Sequence, residues 1–228
     1  GADQIRVTAA GRLEVTGLID STGLLDVQAS GLTNHGTLHA GTDASLRIAG
    51  DIDNGGGLIA ADRVLSVTDA SAGERTLAIT NSGGTLIAGQ LFTIDAASLS
   101  GDGQVLGETD VDVYLTRDYD HTGELAANRH LKLTTAGTVN NRSAITAGES
   151  LSVTADKINN EADGTITAPT LTLTATAPHA LINRGVIDGS EVLLKSATIK
   201  NLGTGRIYGD HLMLDADIVR NDAEDGIA

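Results

Sequence analysis

Val139–Asn160 reads VNNRSAITAGESLSVTADKINN, and the alternation within it decides the fold. Small or apolar residues recur at every second position in three short bursts. These are Ile145 and Ala147, then Leu151, Val153 and Ala155, then Ile158 ahead of Asn160. A period of two marks extended strands with one face buried. Gly148-Glu149-Ser150 and Asp156-Lys157 break the alternation, and Glu161-Ala162-Asp163-Gly164 closes it, all with turn-forming residues. Three short strands bent at corners therefore make one loop of about 20 residues.

The same loop recurs along nearly the whole chain. Its first-strand position is occupied by Leu38, Leu58, Leu86, Val105, Leu125, Ile145, Ile166, Val186, Ile207 and Ile227. Two positions later stand Ala40, Ala60, Ala88, Gly107, Ala127, Ala147, Ala168, Asp188 and Gly209, a site with room for little more than a methyl group. Second-strand pairs run from Leu25/Val27, Leu46/Ile48 and Leu65/Val67 to Leu212/Leu214. A third series places asparagine two residues after an apolar one: Asn34, Asn54, Asn81, Asn141, Asn160, Asn183, Asn201 and Asn221. Gly101 and His121 take that slot in two turns.

A period of about 20 residues sustained this long is the signature of a solenoid, because one such unit cannot hide its own apolar side. The expected fold is all-β, a right-handed parallel β-helix of about ten turns. A leucine-rich repeat would need a longer return segment after a single strand. Here short alternations fill the repeat. Residues 1–24 form less regular leading turns, and residues 25–228 carry the repeat proper. Loop insertions are expected near 69–75 and 176–180, outside the stack. Asp69 and Asp188 fall in inward slots and test the register.

Composition agrees and also excludes. Phe92, Tyr114, Tyr119 and Tyr208 are the only aromatic residues, so a narrow aliphatic core is implied. A net charge of −15 leaves no basic stripe to neutralise phosphates, which argues against nucleic acid and against anionic lipid. No apolar run is long enough to span a membrane. Cysteine is absent, which excludes disulfides and thiolate sites.

The pattern opened by Ile145-Thr-Ala147-Gly148 and closed by Asn160 resembles the haemagglutinin repeat of filamentous-haemagglutinin-type exoproteins. Leu38-His-Ala40-Gly41 and Leu86-Ile-Ala88-Gly89 repeat its opening. The resemblance implies a shaft segment of a large protein exported by Gram-negative bacteria through two-partner secretion, secreted to the cell surface. Such proteins are adhesins or contact-dependent growth inhibition effectors. It implies an outer-membrane transporter during export, and a receptor or neighbouring cell met by the full-length protein. Neither an NPNG-like secretion motif nor a VENN motif occurs, so interior shaft without enzymatic activity is expected.

Few residues suggest chemistry. The asparagine series reads as a ladder of stacked amides holding successive turns together. Glu108–His121 is the most acidic turn, and Asp110, Asp112, Tyr114, Asp118, Tyr119, Asp120 and His121 are its candidate contacts for a partner or ligand. Asp110 and Asp112 share one face by strand parity. They could serve a cation, a carbohydrate platform with the two tyrosines, or the acid/base pair of a polysaccharide-cleaving enzyme. The plain reading is a solvated acidic face. His35 and His39 do not converge in extended chain as a helical pair would, so no metal and no cofactor are expected.

Overall fold

A computed structural model describes residues 2–71, 73, 75–176 and 178–223. The described residues form an all-β parallel solenoid of roughly 11 turns with a period of about 20 residues. Two compact units divide the chain, Gly1–Thr116 and Arg117–Ala228.

In the first unit the leading residues already form a turn. Strand Ala2–Thr8 pairs in parallel with Leu18–Asn34, setting Ile5 beside Leu25 and Val7 beside Val27. Strand Arg12–Val15 pairs further along the same partner, setting Leu13 beside Leu32 and Val15 beside Asn34. Two inward columns follow. One runs Leu25, Ala44, Leu65, Phe92, Val111, and the other Val27, Leu46, Val67, Ile94, Val113. Phe92 is fully buried, the largest side chain in an otherwise aliphatic stack.

The second unit repeats the arrangement. Leu125, Ile145, Ile166, Ile187 and Ile207 make one column. Leu131/Leu133, Leu151/Val153, Leu171/Leu173, Val192/Leu194 and Leu212/Leu214 make the paired columns. Val139, Ile158, Leu181, Ile199 and Val219 make the third. Each buried aliphatic side chain contributes about 1.5–3 kcal/mol, but only once a neighbouring turn covers it.

The structure corrects the register at three places. Leu38 lies beside Ile59, not Leu58, and Ala40 beside Ala61, not Ala60. Ile166 likewise lies beside Ile187, not Val186, which leaves Gly189 in the small-residue slot and Asp188 exposed. In both turns two apolar residues are adjacent, so size alone does not reveal which points inward. The third shift sets Leu46 beside Val27 and Ile48 beside Ala29. Strand Asp43–Asp53 offers four inward residues, Ala44, Leu46, Ile48 and Ile52, and the smallest, Ala44, covers Leu25. Ile227 lies outside the described residues, as do residues 72, 74 and 177 of the expected insertions.

Candidate functional site

The largest set of buried polar side chains in each unit is a run of amides at one corner. In the first unit Asn34 Nδ2 donates to Asn54 Oδ1 at 2.7 Å, and Asn54 Nδ2 donates to Asn81 Oδ1 at 2.8 Å. In the second, Asn141, Asn160, Asn183, Asn201 and Asn221 continue donor to acceptor at 2.8–2.9 Å. Six of these amides, all but Asn201 and Asn221, also reach the carbonyl that opens a strand in the next turn. Asn34 donates to Leu58 O, Asn81 to Gln104 O, Asn160 to Val186 O and Asn183 to Arg206 O. A buried carbonyl left without a donor would cost about 1–3 kcal/mol, so these contacts satisfy both side chain and corner.

A glycine column accompanies the asparagines. Asn54 donates to Gly57 O, Asn160 to Gly164 O, Asn183 to Gly185 O and Asn201 to Gly205 O. A Cβ on Gly164 would collide with Asn160 Oδ1 and Asn141 O, so the close approach requires glycine. The signal was present as a glycine two to four residues after each of these asparagines.

His121 occupies the asparagine slot in the second unit and performs half of its task. Its Nε2 lies 2.9 Å from Ala144 O, and Ala144, Thr165 and Val186 are one register column, the latter two being asparagine acceptors. Its Nδ1 lies 2.8 Å from the Tyr119 hydroxyl. One tautomer satisfies both contacts: neutral imidazole donates from Nε2 to the carbonyl, and Tyr119 donates to Nδ1. Burial pushes the His121 pKa down, outweighing the carbonyl bond that favours the proton. Burial also pushes the Tyr119 hydroxyl up, so it stays protonated.

The acidic turn is therefore not one surface. Asp110, Asp112 and Tyr114 do share the outer face of strand Asp110–Leu115, over inward Val111 and Val113. Tyr119 and His121, 3% and 2% exposed, are core residues. The expectation that they offer contacts to a ligand fails, and with it the paired-tyrosine platform. Asp118 accepts from Thr138 N at 2.7 Å, and Asp120 accepts from Asn140 Nδ2 at 2.8 Å. Asn159 Nδ2 extends that bond to Asn140 Oδ1 at 2.7 Å, a second amide run on the outer face. Spacing did not separate it from the inner ladder.

The expected insertion after Asp69 is pinned by that residue. Its carboxylate accepts from Ser71 N, Ser71 Oγ, Thr76 N and Leu77 N. Burial works to raise the Asp69 pKa, but these hydrogen bonds prevail and hold it below the ordinary range. On the opposite side of the balance, His39 sits between Asp20 at 2.6 Å and Asp62 at 3.1 Å, and those two bonds raise its pKa. Among the described residues no group of His, Asp or Glu is arranged to hold a metal ion. Nor is any helix there long and apolar enough to cross a membrane.

Inward polar groups consumed by the scaffold, with apolar columns repeating beneath them, define a structural β-solenoid. The haemagglutinin-repeat family model matches residues 1–17, 20–86, 64–113, 107–177 and 172–218, and the chain belongs to that family. It is similar to a tRNA nuclease CdiA of Yersinia mollaretii, with 26% identity over 196 residues, 84% of this chain and 6% of that protein. It is also similar to the protein adenylyltransferase and cysteine protease IbpA of Histophilus somni, with 27% identity over 149 residues, 59% of this chain and 4% of that protein. The chain thus spans a small fraction of the curated relatives it matches. No solved structure matches it.

Proposed function

We propose that this chain is a shaft segment of a large secreted filament on a Gram-negative cell surface, carrying mechanical connection between modules that do the binding or the chemistry. The observation that supports this most is the use of nearly every inward polar group for holding turn to turn. An inward amide bonded to its neighbours 18–27 residues away has no free donor for a substrate. The two relatives are named for nuclease, adenylyltransferase and protease activities. We assign none of those activities to residues of this segment.

On this reading the filament leaves through an outer-membrane transporter, and the full-length protein meets a receptor or a neighbouring cell. A chain without cysteine suits that route, because its stability needs no disulfide. The test is a segment exchange in the full-length protein. Residues 25–218 are replaced by the same number of haemagglutinin-repeat turns of different outer-face sequence. Surface display and cell-contact function should persist. Loss of contact function with display intact would show that the segment recognises something itself and would refute a purely mechanical role.

A further inference from the structure

One outer face in the first unit is built differently from the solvated faces around it. Strands Leu91–Ala96 and Asp110–Leu115 set Leu91 beside Asp110, Thr93 beside Asp112 and Asp95 beside Tyr114. Arg75, from the insertion that Asp69 pins, folds back over this face. Its Nη2 donates to Asp95 Oδ2 at 2.8 Å, and its Nε donates to the same carboxylate. Its Cζ lies 4.8 Å from the centre of the Tyr114 ring. Arg75, Thr93, Ile94, Asp95, Asp112 and Tyr114 enclose a shallow depression of about 220 Å³.

We propose that this depression binds a single neutral sugar ring, the insertion and the acidic strand each supplying part of the site. The Asp112 carboxylate has no hydrogen bond or ion pair among the described residues, and an ionised carboxylate only accepts. It therefore calls for a ligand rich in hydroxyl donors. Asp95 fixes the Arg75 guanidinium in place through Nε and Nη2, which leaves Nη1 as a donor for a hydroxyl or ring oxygen. Tyr114, 38% exposed and on the same strand face as the carboxylate, adds aromatic surface beyond the part of its ring that Arg75 covers, suited to the C–H edge of a pyranose. The volume lies below the roughly 300 Å³ of pockets that enclose a drug-sized ligand, which limits the site to about one ring.

Charge selects among sugars. Asp95, Asp110 and Asp112 share the face, and the chain carries a net charge of −15, so sulfated and sialylated glycans are repelled. This site stands apart from the shaft reading: a mechanical segment can carry it or lack it. Affinity at so open a site falls near the millimolar range, about −4 kcal/mol.

The experiment is saturation-transfer NMR on the whole chain with methyl glucoside, galactoside and mannoside as probes, and with methyl sialoside and a sulfated disaccharide in parallel. At least one neutral pyranoside should receive saturation, with shift changes at the Tyr114 ring and Arg75 Nε. Asp112→Ala and Tyr114→Ala should each weaken it about tenfold or more, the scale of a lost bond to a charged group. Tyr114→Phe, which keeps the ring, should bind like the wild type. Because the shift map needs no variant, a folding defect in either alanine variant leaves the test intact. Absence of transfer to every neutral pyranoside overturns the proposal. So does preference for an anionic sugar, or shift changes confined to other faces.

Discussion

Replacing Asn160 by alanine removes an inner rung of the ladder in the second unit. The side chain accepts from Asn141 Nδ2 at 2.8 Å and donates to Asn183 Oδ1 at 2.8 Å, Gly164 O at 3.2 Å and Val186 O at 3.1 Å. The two amide–amide bonds contribute net about 1 kcal/mol each. Asn183 Oδ1 is then left buried without its donor, a further cost of about 1–3 kcal/mol. The expected loss is about 3–5 kcal/mol, a large share of the stability of an ordinary domain. Asn221 provides the internal comparison. It is exposed and accepts a single ladder bond, from Asn201 at 2.9 Å, and water can replace that partner. Asn221→Ala should therefore lose less than about 1 kcal/mol. Urea unfolding followed by circular dichroism reads both, with hydrogen exchange at the amides around Ile158 and Asn183 locating the damage. If the two variants fall within about 0.5 kcal/mol of one another, ordinary surface-substitution scatter, the ladder does not hold the turns.

Other predictions follow from the same geometry. Deleting residues 131–150 removes one full turn and joins His130 to Leu151, matching the register of His130 with Ser150, so the shortened chain should stay soluble and β-rich. Deleting only 131–140 should aggregate, because later residues leave their columns. Gly164→Ala should destabilise by about 1–3 kcal/mol through overpacking against Asn141 and Asn160, measured by thermal unfolding. Two histidines titrate with opposite sign. His121 has a folded pKa below its unfolded value of about 6.5, so its contribution is complete above that value and is lost as pH falls through the folded pKa. His39 has a folded pKa above that value, so its contribution is complete below about 6.5 and lost as pH rises through the folded pKa. Comparing unfolding midpoints between pH 5 and 8, His121→Asn should flatten the acid loss, and His39→Gln should steepen it.

What the sequence discloses here depends on how local the determinant is. The inward columns are legible because strand alternation and a period near 20 residues reinforce one another, as at Leu151/Val153 and Leu171/Leu173. The reading slips by one at Leu58-Ile59 and Val186-Ile187, where either of two adjacent apolar residues could face inward and only the neighbouring turn decides. The asparagines are visible at a constant offset, whereas their glycine acceptors stand at offsets of two, three or four. His121 and Tyr119 look like surface chemistry in a run of acids. Their burial follows from an inward parity that Asp118 and Asp120 on either side obscure. The meeting of Arg75 with Tyr114 was beyond reach, since it depends on how an insertion folds back across strands some 40 residues away.

The claim beneath all of this is that residues one period apart lie side by side. Ser152 and Thr172 are register partners on an outer face, and the chain contains no cysteine. Neighbouring strands lie about 4.8 Å apart, inside the Cα separation of about 4.4–6.8 Å that a disulfide accepts. A shift of two residues along the strand adds about 6.6 Å and carries the pair past the limit of about 7 Å. Under mild oxidation, Ser152→Cys with Thr172→Cys should cross-link within the chain, and Ser152→Cys with Thr174→Cys should remain reduced. Efficient cross-linking of the second pair and failure of the first would contradict the stacking itself.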